Sequence, residues 1–150
     1  MPNHFHLIIN ANAYSCHERS AFGGKPIQEL AYRTGILLSS YTQIINKNYN
    51  TTGSLFQQKT KAKDLTPKPG SQSKKDYLIN AMHYVHQNAW KAGLVKKIED
   101  WPYSSFPDYA GYRNGTLADK NLMMSLTGYD LKNFYEDSYK VIDGYNELNF

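Results

Sequence analysis

His4 and His6 flank one bulky apolar residue, Phe5, and Leu7-Ile8-Ile9 follows. Side chains alternate between the two faces of an extended strand. A strand over residues 4–10 therefore puts both imidazoles on one side and Phe5, Leu7 and Ile9 on the other. Two imidazoles fixed side by side over an apolar face form a ready pair of ligands for a divalent metal. The same pair also reads as the solvated face of an ordinary strand, so the hexapeptide alone leaves both readings open.

A second group of residues stands on a helix. Residues 75–90, KKDYLINAMHYVHQNA, carry Leu78, Met82, Val85 and Ala89 at steps of four, three and four, the buried stripe of an amphipathic helix. Tyr84 and Asn88 are one turn apart on a different flank, where the stripe does not need them, and Tyr77 and Ala81 lie along it too. His83 and His86 point elsewhere and read as structural or exposed. A third group lies in SLFQQKTKAKDL, residues 54–65. There a strand would line up Lys59, Lys61 and Lys63 on one face, a basic stripe suited to phosphates or, equally, a solvated edge.

Together these residues have a coherent chemistry. A divalent cation held by His4 and His6 would polarise phosphodiester oxygens. Tyr84 would attack phosphorus, leaving a 5′-phosphotyrosine and a 3′-hydroxyl. Asn88 would offer its amide oxygen as a third ligand, and the lysines would hold the strand being cut.

The elements that must position these groups are legible around them. Pro26 opens a helix over about 26–47, in which Ile27, Leu30, Ala31, Thr34, Leu37, Leu38, Tyr41, Ile44 and Ile45 recur at helical spacing. Residues 11–25 read as a polar loop holding Cys16 and His17, a pair more often incidental than ligating. Residues 48–53 read as a turn, and 66–74 as a loop rich in Pro, Gly and Ser. Gly93 caps the Tyr84 helix. DWPYSSF at 100–106 reads as an extended aromatic arm whose rings anchor the core. Two weaker helical patterns follow within 119–140, separated by Gly128.

Composition sets the bounds. The 150 residues suit one domain, and 41% hydrophobic and 14% aromatic residues supply a core. The net charge of +4 tilts mildly toward polyanions. The lone Cys16 excludes an internal disulfide and fits a reducing cytosol. No apolar run approaches the roughly 20 residues of a membrane span, and no signal peptide is evident. These features point to a cytoplasmic protein without membrane partners.

MPNHFHLIIN, SLFQQKTKAKDL, HYVHQNAWKAGLV and EDWPYSSFPDY, in this order, resemble the single-tyrosine HUH transposases. More specifically, they resemble the REP-associated tyrosine transposases and relatives of the insertion-sequence transposase superfamily. The resemblance covers about residues 1–112, a catalytic domain. Residues 113–150 form a helical extension of the same domain, and LADKNLMMSLTGYDLKNFYED resembles the tail of some bacterial members.

The resemblance implies an α+β, ferredoxin-like fold with helices packed on an antiparallel sheet. It matches His4 and His6 to the HUH ligands, Tyr84 to the nucleophile and Asn88 to the third ligand. It further implies Mg²⁺ or Mn²⁺, single-stranded or hairpin DNA as substrate, a bacterial cytoplasmic setting, and either a monomer or a homodimer. Two departures stand out. The family's N-P-V-x-A-G-L-V here reads Asn88-Ala89-Trp90-Lys91-Ala92-Gly93-Leu94-Val95. The strand and helix that normally precede the HUH strand are absent from these 150 residues, so the sheet is expected to be incomplete at the N-terminus or completed by a partner chain. The main alternative is a catalytically inactive or domesticated DNA-binding module. A third reading, a metal-dependent nuclease using water, would survive loss of Tyr84.

Overall fold

The computed structural model describes residues 5–20, 23–56, 61–66 and 72–140, with the side chains of 72–75 left aside. The chain falls into two compact units, one formed by residues 7–60 and the other by residues 1–6 with 61–150. Both helix and antiparallel strand are present.

In the unit of residues 7–60, β1 (Glu18–Ser20) pairs antiparallel with β2 (Pro26–Gln28), and Arg19 stands opposite Ile27. Gly23 and Gly24, both at positive φ, lie between the two strands. Pro26 is tolerated because the two-stranded ladder leaves an open edge where no N–H is needed. The helix α1 (Glu29–Tyr49) therefore starts three residues after the expected Pro26, and part of the expected 11–25 loop is strand.

The sequence before β1 caps α1. The amides of Glu29 and Leu30, left without partners inside the helix, donate to the carbonyls of His17 (2.9 Å) and Ser15 (3.0 Å). The buried Glu29 carboxylate accepts from Arg33 Nε (2.6 Å) and Arg19 Nη1 (3.3 Å). The Arg33 hydrogen bond, opposed by desolvation, holds this carboxyl below its usual pKa. Arg19 also stacks over Tyr32, 3.8 Å from its centroid. At the other end Asn50 takes the left-handed conformation. Thr51 and Asn46 then close the expected turn: the Thr51 amide donates to the Asn46 carbonyl (3.0 Å) and its hydroxyl to Asn46 Oδ1 (3.0 Å).

In the other unit, α2 (Gln72–Lys91) is the centre, contacted by α4 (Lys120–Thr127), α5 (Phe134–Ser138) and the 3₁₀ turn Ile98–Asp100. Leu78, Met82 and Ala89 of the expected stripe are buried, and Val85 is half-buried. Burial extends beyond that stripe to Ala81, His83, Tyr84, His86 and Gln87, because other elements and an aromatic cluster cover the remaining flanks. Gly93 does end the helix. Its amide donates to the Trp90 carbonyl (2.9 Å) and that of Leu94 to the Ala89 carbonyl (3.0 Å), the Schellman pattern.

The expected 100–106 arm is instead a run of turns leading into α3 (Phe106–Tyr109). Phe106 is fully buried as a core anchor, whereas Tyr103 is exposed. The Asp119 side chain caps α4 by accepting from the Leu122 amide (2.9 Å), and Gly128 ends that helix at positive φ, as expected.

The two expected functional strands differ from the structure. Residues 5–10 are irregular, as are 61–66, and among the described residues neither segment has a ladder partner. Strand composition expresses a preference; a strand forms only when another pairs with it. The expected faces are also exchanged. Phe5, Leu7 and Ile9 are exposed, while His6 and Ile8 are half-buried.

Candidate functional site

Tyr84 projects from the middle of α2 and is 3% exposed, so its phenol is covered in this conformation. The His6 ring meets it edge to face, with centroids 5.7 Å apart and planes at 89°. That geometry places the positive edge of one ring on the π face of the other. It joins two residues far apart in sequence. Asn88 lies one turn after Tyr84 and is half-buried, and its Nδ2 is enclosed with no hydrogen-bond partner among the described residues. A side-chain amide can flip to exchange its donor and acceptor ends, so this position can present either the NH₂ or the oxygen.

Of the lysines, Lys61 is exposed on the irregular 61–66 segment. Lys63 is on the same segment, and its ammonium stands 4.8 Å from the Tyr77 ring centroid. Tyr77 is seven residues before Tyr84, which on a helix is an offset of about 20°. Four of the expected site residues thus gather along one flank of α2, Tyr84 and Asn88 on the helix itself, Lys63 at the Tyr77 end and His6 at Tyr84; Lys61 is not brought to it. His4 and Lys59 lie outside the described residues.

The donors suit a divalent cation in type: an imidazole from His6, and a carboxamide from Asn88 with an enclosed polar end that has no hydrogen-bond partner among the described residues. Among the described residues no three His, Cys, Asp or Glu side chains cluster as a metal site. Cys16 and His17 are both exposed.

His83 and His86 are neither exposed nor part of this flank. Ser138 Oγ donates to the Phe134 carbonyl (2.7 Å), so it accepts from His83 Nδ1 (2.9 Å), which fixes the proton on that nitrogen. His86 Nε2 is 2.8 Å from Ser105 Oγ. Both rings pack on Phe134, with centroids 5.5 Å away in each case. Burial pushes the pKa of His83 down to about 4 and that of His86 to about 3, so both are neutral at pH 7. Between them, Gln87 Nε2 donates to the carbonyls of Ser138 (2.7 Å) and Lys140 (3.0 Å).

The sequence held a signal for His86, which is four residues after Met82 and three before Ala89, inside the apolar stripe. It held one for Tyr77 in its spacing from Tyr84. For His83 it held none, since the partners that bury it lie some fifty residues further on. Comparisons with family models, curated proteins and solved structures returned no match.

Proposed function

We propose that the protein is a metal-dependent, single-tyrosine transposase of single-stranded DNA. What carries this reading is the contact between His6 and Tyr84, residues that the chemistry requires together and the sequence keeps far apart. Asn88 one turn along and Lys63 on the same flank support it.

In this reading Tyr84 Oη bonds to phosphorus as the P–O3′ bond breaks. The phenol loses its proton, and the departing oxygen takes one up as a 3′-hydroxyl. Because the new bond is itself a phosphodiester, the 3′-hydroxyl of another strand can attack it and restore the phenol. His4, His6 and Asn88 would hold Mg²⁺ or Mn²⁺, which would supply charge stabilisation at the phosphoryl oxygens. Placing His6 and Asn88 beside the tyrosine would save the entropy of assembling them during reaction. Tyr84 is covered, so the incoming strand must open this flank. The reading also carries the ferredoxin-like sheet, which needs strands beyond β1 and β2.

A second reading, a DNA-binding module without cleavage, is favoured by the burial of Tyr84. The two separate when the protein is incubated with a labelled DNA hairpin bearing single-stranded flanks, with and without Mn²⁺. The transposase reading predicts metal-dependent cleavage that is abolished by Tyr84→Phe and by the His4→Ala/His6→Ala pair. Binding without cleavage would support the module. Cleavage surviving in Tyr84→Phe would indicate a nuclease using water.

A further inference from the structure

The helix α5 has two unlike sides. Phe134 is 1% exposed and packs in the core, whereas Tyr135, the next residue, is 38% exposed. Tyr139 follows one turn later and shares its face. The two tyrosine rings stand 5.3 Å apart, tilted at 45°. Both hydroxyls are tied to one carboxylate: Tyr135 Oη donates to Glu99 Oε1 (2.9 Å) and Tyr139 Oη to Glu99 Oε2 (2.5 Å). The Ile98 amide also donates to Tyr139 Oη (3.0 Å). With their polar ends held in this way, the pair offers ring surface.

These rings line an open cleft of about 410 Å³, together with Lys97 and Glu136. Trp90 meets Tyr139 edge to face at 5.4 Å, which braces the platform from α2. The volume falls in the range of pockets that take small ligands. The two charged lining residues differ. Lys97 acts electrostatically on Glu99, so its charge is already engaged. Glu136 is exposed, and among the described residues its carboxylate has no hydrogen bond or ion pair. The cation it influences, Lys140, is itself bonded to Asp137 (2.6 Å).

A planar ring with a donor edge suits this lining. Unpaired bases stack on aromatic side chains whatever their identity. A carboxylate accepts hydrogen bonds and donates none. The amino groups of cytosine, adenine and guanine can donate to it; thymine has no amino group and presents carbonyl oxygens instead.

We propose that this cleft is a subsite for one unpaired base of single-stranded DNA, with Tyr135 and Tyr139 as the stacking platform and Glu136 favouring bases that carry an amino group. The proposal rests on the DNA reading above. Trp90, which meets Tyr139, is six residues after Tyr84, about 9 Å along the helix axis and about 240° around it. The cleft therefore holds a base away from the reacting phosphate.

The test is binding to one labelled DNA hairpin whose single-stranded flank is made of deoxycytidines or of thymidines, read by fluorescence anisotropy. The wild type should bind the cytidine flank several-fold more tightly. Glu136→Gln, which both accepts and donates, should bring the two flanks to near-equal affinity. Tyr135→Leu should weaken binding of both flanks about ten-fold. Tyr135→Phe keeps the ring and should bind as the wild type does.

The seat of the base can be read separately in the unaltered protein. A flank carrying 5-iodo-deoxycytidine should photo-crosslink to Tyr135 or Tyr139, located by mass spectrometry. Crosslinks only elsewhere overturn the proposal even if Tyr135→Leu fails to fold. Equal wild-type affinity for the two flanks, or a cytidine preference unchanged in Glu136→Gln, also overturns it, and leaves the DNA reading standing if the wild type still binds and cleaves the hairpin. No hairpin binding by the wild type overturns both.

Discussion

His6, His83 and His86 show how one residue type takes opposite roles according to its surroundings. His6 is half-buried against the nucleophile candidate; the other two are held neutral within an aromatic cluster around Phe134. Their burial has a consequence for stability. An unfolded chain takes up these protons near pH 6.5, the folded one only near pH 4 for His83 and pH 3 for His86. The unfolded state therefore binds more protons between these values, and stability falls as the pH drops below about 6.5. Each histidine should cost about 2 kcal/mol between pH 8 and pH 5. Urea unfolding at the two pH values should show this loss, and His86→Leu should remove about half of it. An equal midpoint at pH 8 and pH 5 would contradict the neutral, buried assignment.

At the scale of elements, the joint between α3 and α4 is the most closely specified. The buried Asp108 carboxylate accepts from Arg113 Nε (2.9 Å) and Nη2 (2.6 Å) and from the Gly115 amide (2.7 Å). Lys120, at the start of α4, donates to the Asp108 carbonyl (3.0 Å). The Arg113 bonds, against the opposing effect of desolvation, hold the Asp108 pKa down to about 2. A Cβ on Gly115 would come within 2.7 Å of Asp108 Oδ1. Because that oxygen is pinned by its donors, Gly115→Ala should destabilise the fold by about 1–3 kcal/mol. A denaturation midpoint equal to wild type would mean that the joint yields freely.

The elements also show what could be read from the sequence. Long helices with several turns of periodic apolar residues, α1 and α2, were legible, as were the Gly93 and Gly128 stops, because those signals are local. The β1–β2 pair was not. Glu18-Arg19-Ser20 has no apolar alternation, and only its pairing with Pro26–Gln28 makes it a strand. HFHLIIN failed in the opposite way, with strand composition but, among the described residues, no ladder partner over residues 5–10. Of the candidate site, the shared flank of Tyr84 and Asn88 follows from helical spacing. The approach of His6 to Tyr84 and of Lys63 to Tyr77 depends on the tertiary path, which no local pattern encodes.

For the whole molecule, 17 basic residues against 13 acidic ones supply a mild attraction for a polyanion, too weak to choose among partners. No helix among the described residues is long and apolar enough to cross a membrane. The proposed function rests on one flank of one helix, where Tyr84 is the proposed nucleophile and Tyr77 stands two turns before it. Trypsin should release both in a single peptide, residues 76–91. The most direct measurement is mass spectrometry of that peptide after incubation with hairpin DNA and Mn²⁺ and nuclease trimming. The account predicts a nucleotide phosphate on Tyr84, formed only with metal present, and an unmodified Tyr77. DNA bound under the same conditions with no adduct, or an adduct on Tyr77 or any other residue, would contradict it.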